Sequence, residues 1–324
     1  MHENRPLEKR ILGKTRLQVS LLGLGGGGHS RLGLSAGQSI GRAADVVRAA
    51  LDMGITLLDT ARVYGTEPAL GLALPGHRRD QVVVASKCPY LDENDHLLSP
   101  AAFQRQIDDS LHDLGLEYID LYFIHAVLPA AYAQCRERFL PVLQQARQSG
   151  KIRHFGLTEY FEGDKDHRML QLALQDSDWD AYMVGFNLLN QTARSRVFAH
   201  TRQQGIGTLG MFAVRRALID PARLRSLLST LATNGEIDPA LASAPDLMEA
   251  LGLTGVADSL SEAAYRYCAF EPGLDCVLSG TGSPDHLQQN LAAVQRGPLP
   301  PAVNERLAQL FGRVNSVTGQ IGSN

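Results

Sequence analysis

Three features of the 324-residue sequence predict an α/β chain folded as a (β/α)8 TIM barrel with an N-terminal β-hairpin, a long insertion after the seventh strand and an extra C-terminal helix. Eight short runs rich in Val, Ile and Leu recur along the chain, as expected of strands buried on both faces of a parallel sheet. Amphipathic helical stretches with recognisable caps lie between them. Neither a repeat nor a linker divides the chain, so residues 1–324 read as one domain, although the length alone would accommodate two.

The chain enters through two short segments, ILG and LQV, which flank Lys14-Thr15 and predict a hairpin over the end of the barrel away from the catalytic face. The strands follow as SLLGLG (20–25), ITLLDT (55–60), QVVVASK (81–87), YIDLYFIH (118–125), IRHFGLT (152–158), AYMVGFN (181–187), GIGTLGM (205–211) and LDCVLSG (274–280). The first convincing helix starts near Arg42. After the third strand, Ser99-Pro100 reads as an N-cap with Pro at the first helical position, Phe103, Ile107, Leu111 and Leu114 form one buried stripe, and Gly115 closes the segment. Ser283-Pro284 repeats the device ahead of Leu287, Leu291 and Val294, and Ser259 with Glu262 reads as a capping box. Strands seven and eight start about 69 residues apart, from Ile206 to Asp275. The excess is residues 214–258, with Pro221, Pro239, Pro245 and a short helix around 224–231, expected on the catalytic face where barrel loops carry specificity. Leu307, Leu310 and Phe311 mark a final packed helix after Pro301.

Lys plus Arg number 31 and Asp plus Glu 34, a net charge of −3 that argues against nucleic acid or another polyanion as partner. A composition 44% hydrophobic and 20% charged supports a sizeable core rather than disorder. The longest apolar runs, LYFI and VVVA, fall far short of the ~18 residues of a membrane span. The polar N-terminus MHENRPLEKR lacks the apolar centre of a secretory signal. Cys88, Cys135, Cys268 and Cys276 are scattered with no CxxC pair, so free thiols are expected, with neither a metal site nor a disulfide framework. These features together predict a soluble cytoplasmic protein.

Residues 23–28, GLGGGG, satisfy the dinucleotide pattern GxGxxG at Gly23, Gly25 and Gly28. The context contradicts that reading. HSRLGLSAGQS follows where a helix should begin, and Asp59 stands 31 residues past Gly28 rather than about 20. A flexible glycine loop beside a ligand at the mouth of the first strand fits better, with Gly25 among its contacts.

Functional side chains of a barrel belong at the C-terminal ends of its strands. Asp59 ends the second strand, Lys87 the third and His125 the fourth, with Tyr64 in the loop after Asp59. Alone, a strand-end Lys is ordinarily a solvated charge and a lone His a hydrogen-bonded core residue; on three successive strands they form a set. A phenol near pKa 10 is a poor acid at neutral pH, but a neighbouring ammonium favours the phenolate and lowers that value, and a carboxylate behind the ammonium keeps it charged. A neutral imidazole beside the phenol can orient a carbonyl oxygen. This equipment moves one proton at an oxygen and provides neither covalent nucleophile nor metal, so a cofactor must supply the other half of the reaction.

LGKTRLQVSLLGLG, GITLLDTARVYG, VVVASK and DLYFIH resemble, in order and spacing, the signatures of the aldo-keto reductases, and GKIRHFGLTEY, FNLLN and VLSGTGSPDHLQQN are similar to that family's later motifs, so that the resemblance spans essentially the whole chain. It implies hydride transfer between NADP(H) or NAD(H) and a small aldehyde, ketone or sugar, with catalytic Asp59, Tyr64, Lys87 and His125. It also implies cofactor contacts, several with altered chemistry. Thr158, Glu159 and Met183 stand where the family holds the nicotinamide carboxamide with Ser, Asn and Gln; an ionised Glu159 cannot donate to the amide oxygen, and Met183 offers almost nothing. Met211 and Phe212 replace the stacking Tyr. Gly280, Thr281, Gly282 and Ser283, then His286 and Asn290, stand where many members grip the adenosine 2′-phosphate with basic residues. The missing bidentate cation weakens the NADP preference, and both cofactors stay open. Arg215 and Arg216 are candidate pyrophosphate partners or solvated charges. Specificity is expected in the loops 126–133, with Tyr132, and 214–258.

Two further classes compete with the reductase. A catalytically weak NAD(P)-binding regulatory protein on the same fold would explain the altered carboxamide contacts, whereas the complete set of four weighs against it. A metal-free lyase or isomerase barrel would require accidental cofactor motifs.

Overall fold

The computed structural model describes residues 6–321; residues 1–5, part of the polar N-terminal stretch, and 322–324 lie outside the described residues. β1 (Lys9–Ile11) and β2 (Gln18–Ser20) pair antiparallel as the expected hairpin. Eight parallel strands then close a barrel among the described residues: β3 (Leu22–Gly25), β4 (Leu57–Asp59), β5 (Val83–Pro89), β6 (Ile119–Val127), β7 (Ile152–Glu159), β8 (Ala181–Gly185), β9 (Gly207–Met211) and β10 (Cys276–Ser279), with β10 returning to β3. Each lies on the apolar run that predicts it. The ends shift by a few residues because strand ends follow hydrogen bonding rather than hydrophobicity.

The helices are α1 (Ile40–Asp52), α2 (Glu67–Ala73), α3 (Pro100–Leu114), α4 (Tyr132–Gln148), α5 (Arg168–Ala173), α6 (Ala199–Gln204), α7 (Arg216–Ile219), α8 (Pro221–Thr233), α9 (Pro239–Ala242), α10 (Leu247–Ala250), α11 (Leu260–Ala269), α12 (Pro284–Gln295) and α13 (Pro301–Phe311). The caps form as read. The Ser99 hydroxyl accepts from the Ala102 N–H at 3.1 Å, and Gly115 ends α3 at a φ of 62° that glycine takes without penalty. Ser259 accepts from the Glu262 N–H at 3.1 Å, while the Glu262 carboxylate reaches the Asp258 N–H, one residue upstream of the position a capping box expects.

Alternation along the strands sorts side chains into two layers. Outward residues meet the helices. Inward residues fill the barrel: Leu57, Val83, Ala85, Leu121, Phe123, Ala181, Met183, Leu209 and Cys276, plugged from below by Leu12 and Val19 of the hairpin. That closure needs glycine. Gly13 has a φ of +45°, and a Cβ there would stand 2.3 Å from the Gly207 nitrogen.

The insertion is more helical than the sequence suggests: α8 contains the 224–231 prediction, and α7, α9 and α10 surround it. Its start is tied down at two points. The Arg216 guanidinium lies 3.3 Å from His29 Nδ1 in the loop after β3, and the Ala217 N–H donates to the Gly319 carbonyl at 3.1 Å. All four cysteines are free and buried. Among the described residues no helix is long and apolar enough to cross a membrane, and no group of three or more His, Cys, Asp or Glu side chains is arranged to hold a metal.

Candidate active site

The same alternation that fills the barrel sets its upper rim. Leu57 then Asp59, Ala85 then Lys87, and Phe123 then His125 are inward positions two residues apart on three adjacent strands, so the apolar filling ends in one carboxylate, one amine and one imidazole. Tyr64 closes a 3-10 turn, Arg62–Tyr64, just beyond β4.

Lys87 Nζ stands 2.6 Å from Asp59 Oδ1, donates to the Thr60 carbonyl at 2.8 Å, and lies 4.8 Å from the centre of the Tyr64 ring. The Tyr64 hydroxyl is 3.2 Å from His125 Nε2, and the two rings meet edge-on with centres 5.5 Å apart. All four sequence-predicted residues therefore converge. Burial pulls the Lys87 pKa down, but the Asp59 and Tyr64 charges outweigh it and leave the ammonium above its ordinary value. Asp59 is raised by burial, with Lys87 opposing. Burial and the nearby Lys87 charge push His125 down to about 3, so the imidazole is neutral at physiological pH. Tyr64 departs from the sequence expectation. Its pKa is raised, because desolvation of the phenolate exceeds the lowering exerted by Lys87. Burial of the phenol thus favours its protonated form.

Two members of the glycine run pack closely against the site. A Cβ on Gly26 would stand 2.8 Å from the Asp59 carbonyl, and one on Gly27 would stand 2.6 Å from the Tyr64 ring. The sequence reading placed both in the glycine loop without singling them out; their position directly after a barrel strand end was the available signal. Gly25 ends β3 opposite Asp59.

The predicted carboxamide contacts are engaged within the protein. The Thr158 hydroxyl accepts from the Ala126 N–H at 2.7 Å. The buried Glu159 carboxylate takes the Gly185 N–H at 2.6 Å and sits 2.8 and 2.9 Å from His167 Nδ1, whose Nε2 is 2.9 Å from the Thr192 hydroxyl. Burial raises Glu159, with His167 opposing. Met183 lies wholly within the barrel filling, and Met211 packs against it. Phe212, at a left-handed φ of 67°, stacks with Phe161 at 6.3 Å and carries the Arg215 guanidinium 3.6 Å above its ring. Arg215 is paired with Glu162 at 2.7 Å, an ion pair that a pyrophosphate would have to displace.

Residues able to hold a nucleotide gather between the loops after β3 and β10. A cleft of about 500 Å³ there is lined by His29, Gln38, Gly280, Thr281, Gly282, Ser283 and His286 among others, and α12 begins at its edge. A Cβ on Gly282 would stand 2.5 Å from the Gly33 nitrogen, so only glycine lets the two loops meet. Asn290 reaches back to the Ser279 hydroxyl at 2.9 Å and steadies the end of β10. The polar, glycine-built cleft suits a nucleotide, whose reactive end would extend toward the barrel axis.

Comparison with known proteins agrees with this geometry. The model of the aldo/keto reductase family matches residues 22–311. "Aldo-keto reductase YhdN" of Bacillus subtilis is 27% identical over 300 residues, 87% of each chain. "NADH-specific methylglyoxal reductase" of Escherichia coli is 29% identical over 221 residues, 62% of this chain and 65% of that one. The solved structure of aldo-keto reductase AKR11C1 from Bacillus halodurans in its holo form superposes with a TM-score of 0.70 at 23% identity, covering 94% of this chain and 96% of the other.

Proposed function

The chain belongs to the aldo-keto reductase family of NAD(P)-dependent oxidoreductases, and from that premise we propose that it interconverts a small aldehyde, ketone or sugar carbonyl with the corresponding alcohol, using Tyr64 as the acid–base group. The observation that carries the reading is the placement of Tyr64 between His125 and the Lys87–Asp59 pair. When bound, the nicotinamide cofactor contributes the hydride half of the reaction. Tyr64 donates its phenolic proton to the carbonyl oxygen and recovers it in the reverse direction. The Lys87 ammonium stabilises the phenolate left behind, and Asp59 with the Thr60 carbonyl fixes the ammonium in place. Neutral His125 orients the substrate oxygen toward the phenol.

The competing reading, a cofactor-binding regulatory protein with little turnover, draws on the Glu159 carboxylate being occupied by His167 and Gly185. One variant separates the two. Tyr64→Phe removes the proton donor and keeps the ring, so turnover on a panel of aldehydes, ketones and sugars should fall by roughly 10²-fold or more while calorimetric affinity for NADH and NADPH stays. Retained turnover would remove Tyr64 from the mechanism. A wild-type protein that binds neither cofactor would remove the reductase.

A further inference from the structure

β6 slips its register against β7 just beyond His125. Ile124 faces Leu157, but Val127 faces Glu159, so β6 spends one more residue than its partner over this interval. Ala126 absorbs the excess with a φ of 55°, a left-handed backbone that alanine rarely adopts. The displaced Ala126 N–H finds its acceptor in the Thr158 hydroxyl at 2.7 Å. Thr158 is 1% exposed and faces Met183 of β8, so that acceptor is held by the barrel wall. The residue before the bulge is His125, with Nε2 3.2 Å from the Tyr64 hydroxyl.

Bulges beside active sites re-aim a side chain, and the displaced N–H of this one is held by a side-chain oxygen. We infer that Thr158 is a positioning residue, whose hydroxyl holds the β6 bulge so that the His125 ring meets Tyr64. The inference rests on the catalytic roles proposed for Tyr64 and His125. It assigns Thr158 to the backbone behind the imidazole, where the resemblance implied a contact with the cofactor. The β-branched side chain suits the task, since its restricted χ1 fixes the direction of the oxygen. Without that oxygen the part-buried Ala126 N–H loses its acceptor, and the backbone is free to shift in search of another.

The test compares full-length wild type with Thr158→Val, Thr158→Ala and Thr158→Ser. Three quantities are read: kcat at saturating cofactor, the Kd of NADH and NADPH by calorimetry, and the ring ¹⁵N resonances of His125, identified by their loss in His125→Asn. Thr158→Val should lower kcat by roughly ten- to a hundredfold, as expected for a misplaced catalytic group, with cofactor Kd within about twofold and His125 signals displaced. Thr158→Ser keeps the oxygen and should recover most of the kcat. Thr158→Ala serves the same comparison where the valine variant fails to fold.

Weakened cofactor binding with kcat at saturation intact would make Thr158 a cofactor contact and overturn the inference. So would an undisturbed kcat with unmoved His125 signals, or a serine variant as impaired as valine. Wild type without turnover on any carbonyl would count against the proposed function instead. The His125 resonances then decide the positioning role alone, unmoved signals overturning it.

Discussion

A lysine only 1% exposed keeps its charge inside a barrel because Asp59 stands 2.6 Å away and the Thr60 carbonyl accepts a second hydrogen bond from it. The cost of that arrangement falls on its neighbours. Burial and the Lys87 charge hold His125 near 3, far below the 6.5 at which an unfolded histidine titrates. Above pH 6.5 the ring is neutral in both states and stability is complete. As pH falls below 6.5, the unfolded chain gains a proton that the folded site refuses, so stability is lost down toward pH 3. The loss approaches 1.4 kcal/mol per pH unit, about 2 kcal/mol at pH 5 as an upper bound, because the half-buried ring keeps an edge toward water. Urea denaturation at pH 7 and pH 5 should show wild type losing this increment relative to His125→Gln, which has nothing to titrate there. A stability gap between the two proteins that stays constant with pH would place His125 in its ordinary range.

Elements were legible in the sequence wherever one periodicity governed them. The eight apolar runs mark eight strands because both faces of each strand are buried. Ser99, Ser259 and Ser283 mark helix starts because a cap is a local bond of three residues. What escaped depends on contacts between elements. Glu159 bonds His167 eight residues on and Gly185 on the next strand, and no spacing rule announces either. The left-handed Ala126 follows from a register slip between two strands, which neither strand encodes by itself. Desolvation of Tyr64 is a sum over the whole mouth, so the sequence shows the opposing lysine and misses the larger effect.

The start of α12 carries a prediction of its own. A helix N-terminus attracts phosphate, but Pro284 has no N–H, Ser283 already takes the His286 N–H, and Asp285 adds a negative charge. Among the described residues, the cleft lining contains neither Lys nor Arg. The site should therefore favour NADH. His286→Arg should tighten NADPH about tenfold and leave NADH unchanged in a calorimetric titration. Equal affinities in both proteins would place the adenosine phosphate away from His286.

At the scale of the whole molecule, the barrel divides stability from chemistry along its axis. Asp59, Lys87 and His125 crown the strands at one end; Leu12 and Val19 of the hairpin plug the other. Between them Leu57, Leu121, Leu209 and Cys276 form an apolar filling. Leu12 is fully buried, and Gly13 and Gly207 let its backbone lie against β9, so the site has little room to collapse once the side chain is cut back. Leu12→Ala should cost about 2–5 kcal/mol in denaturant unfolding. Because the closed ladder of eight strands holds the rim residues through its own backbone hydrogen bonds, that loss should stop short of the rim. At a temperature well below the melting transition, kcat at saturating cofactor should match wild type. A kcat that fell in step with stability would mean that the strands transmit strain along their length, and the two ends of the barrel would then have to be treated as one coupled unit.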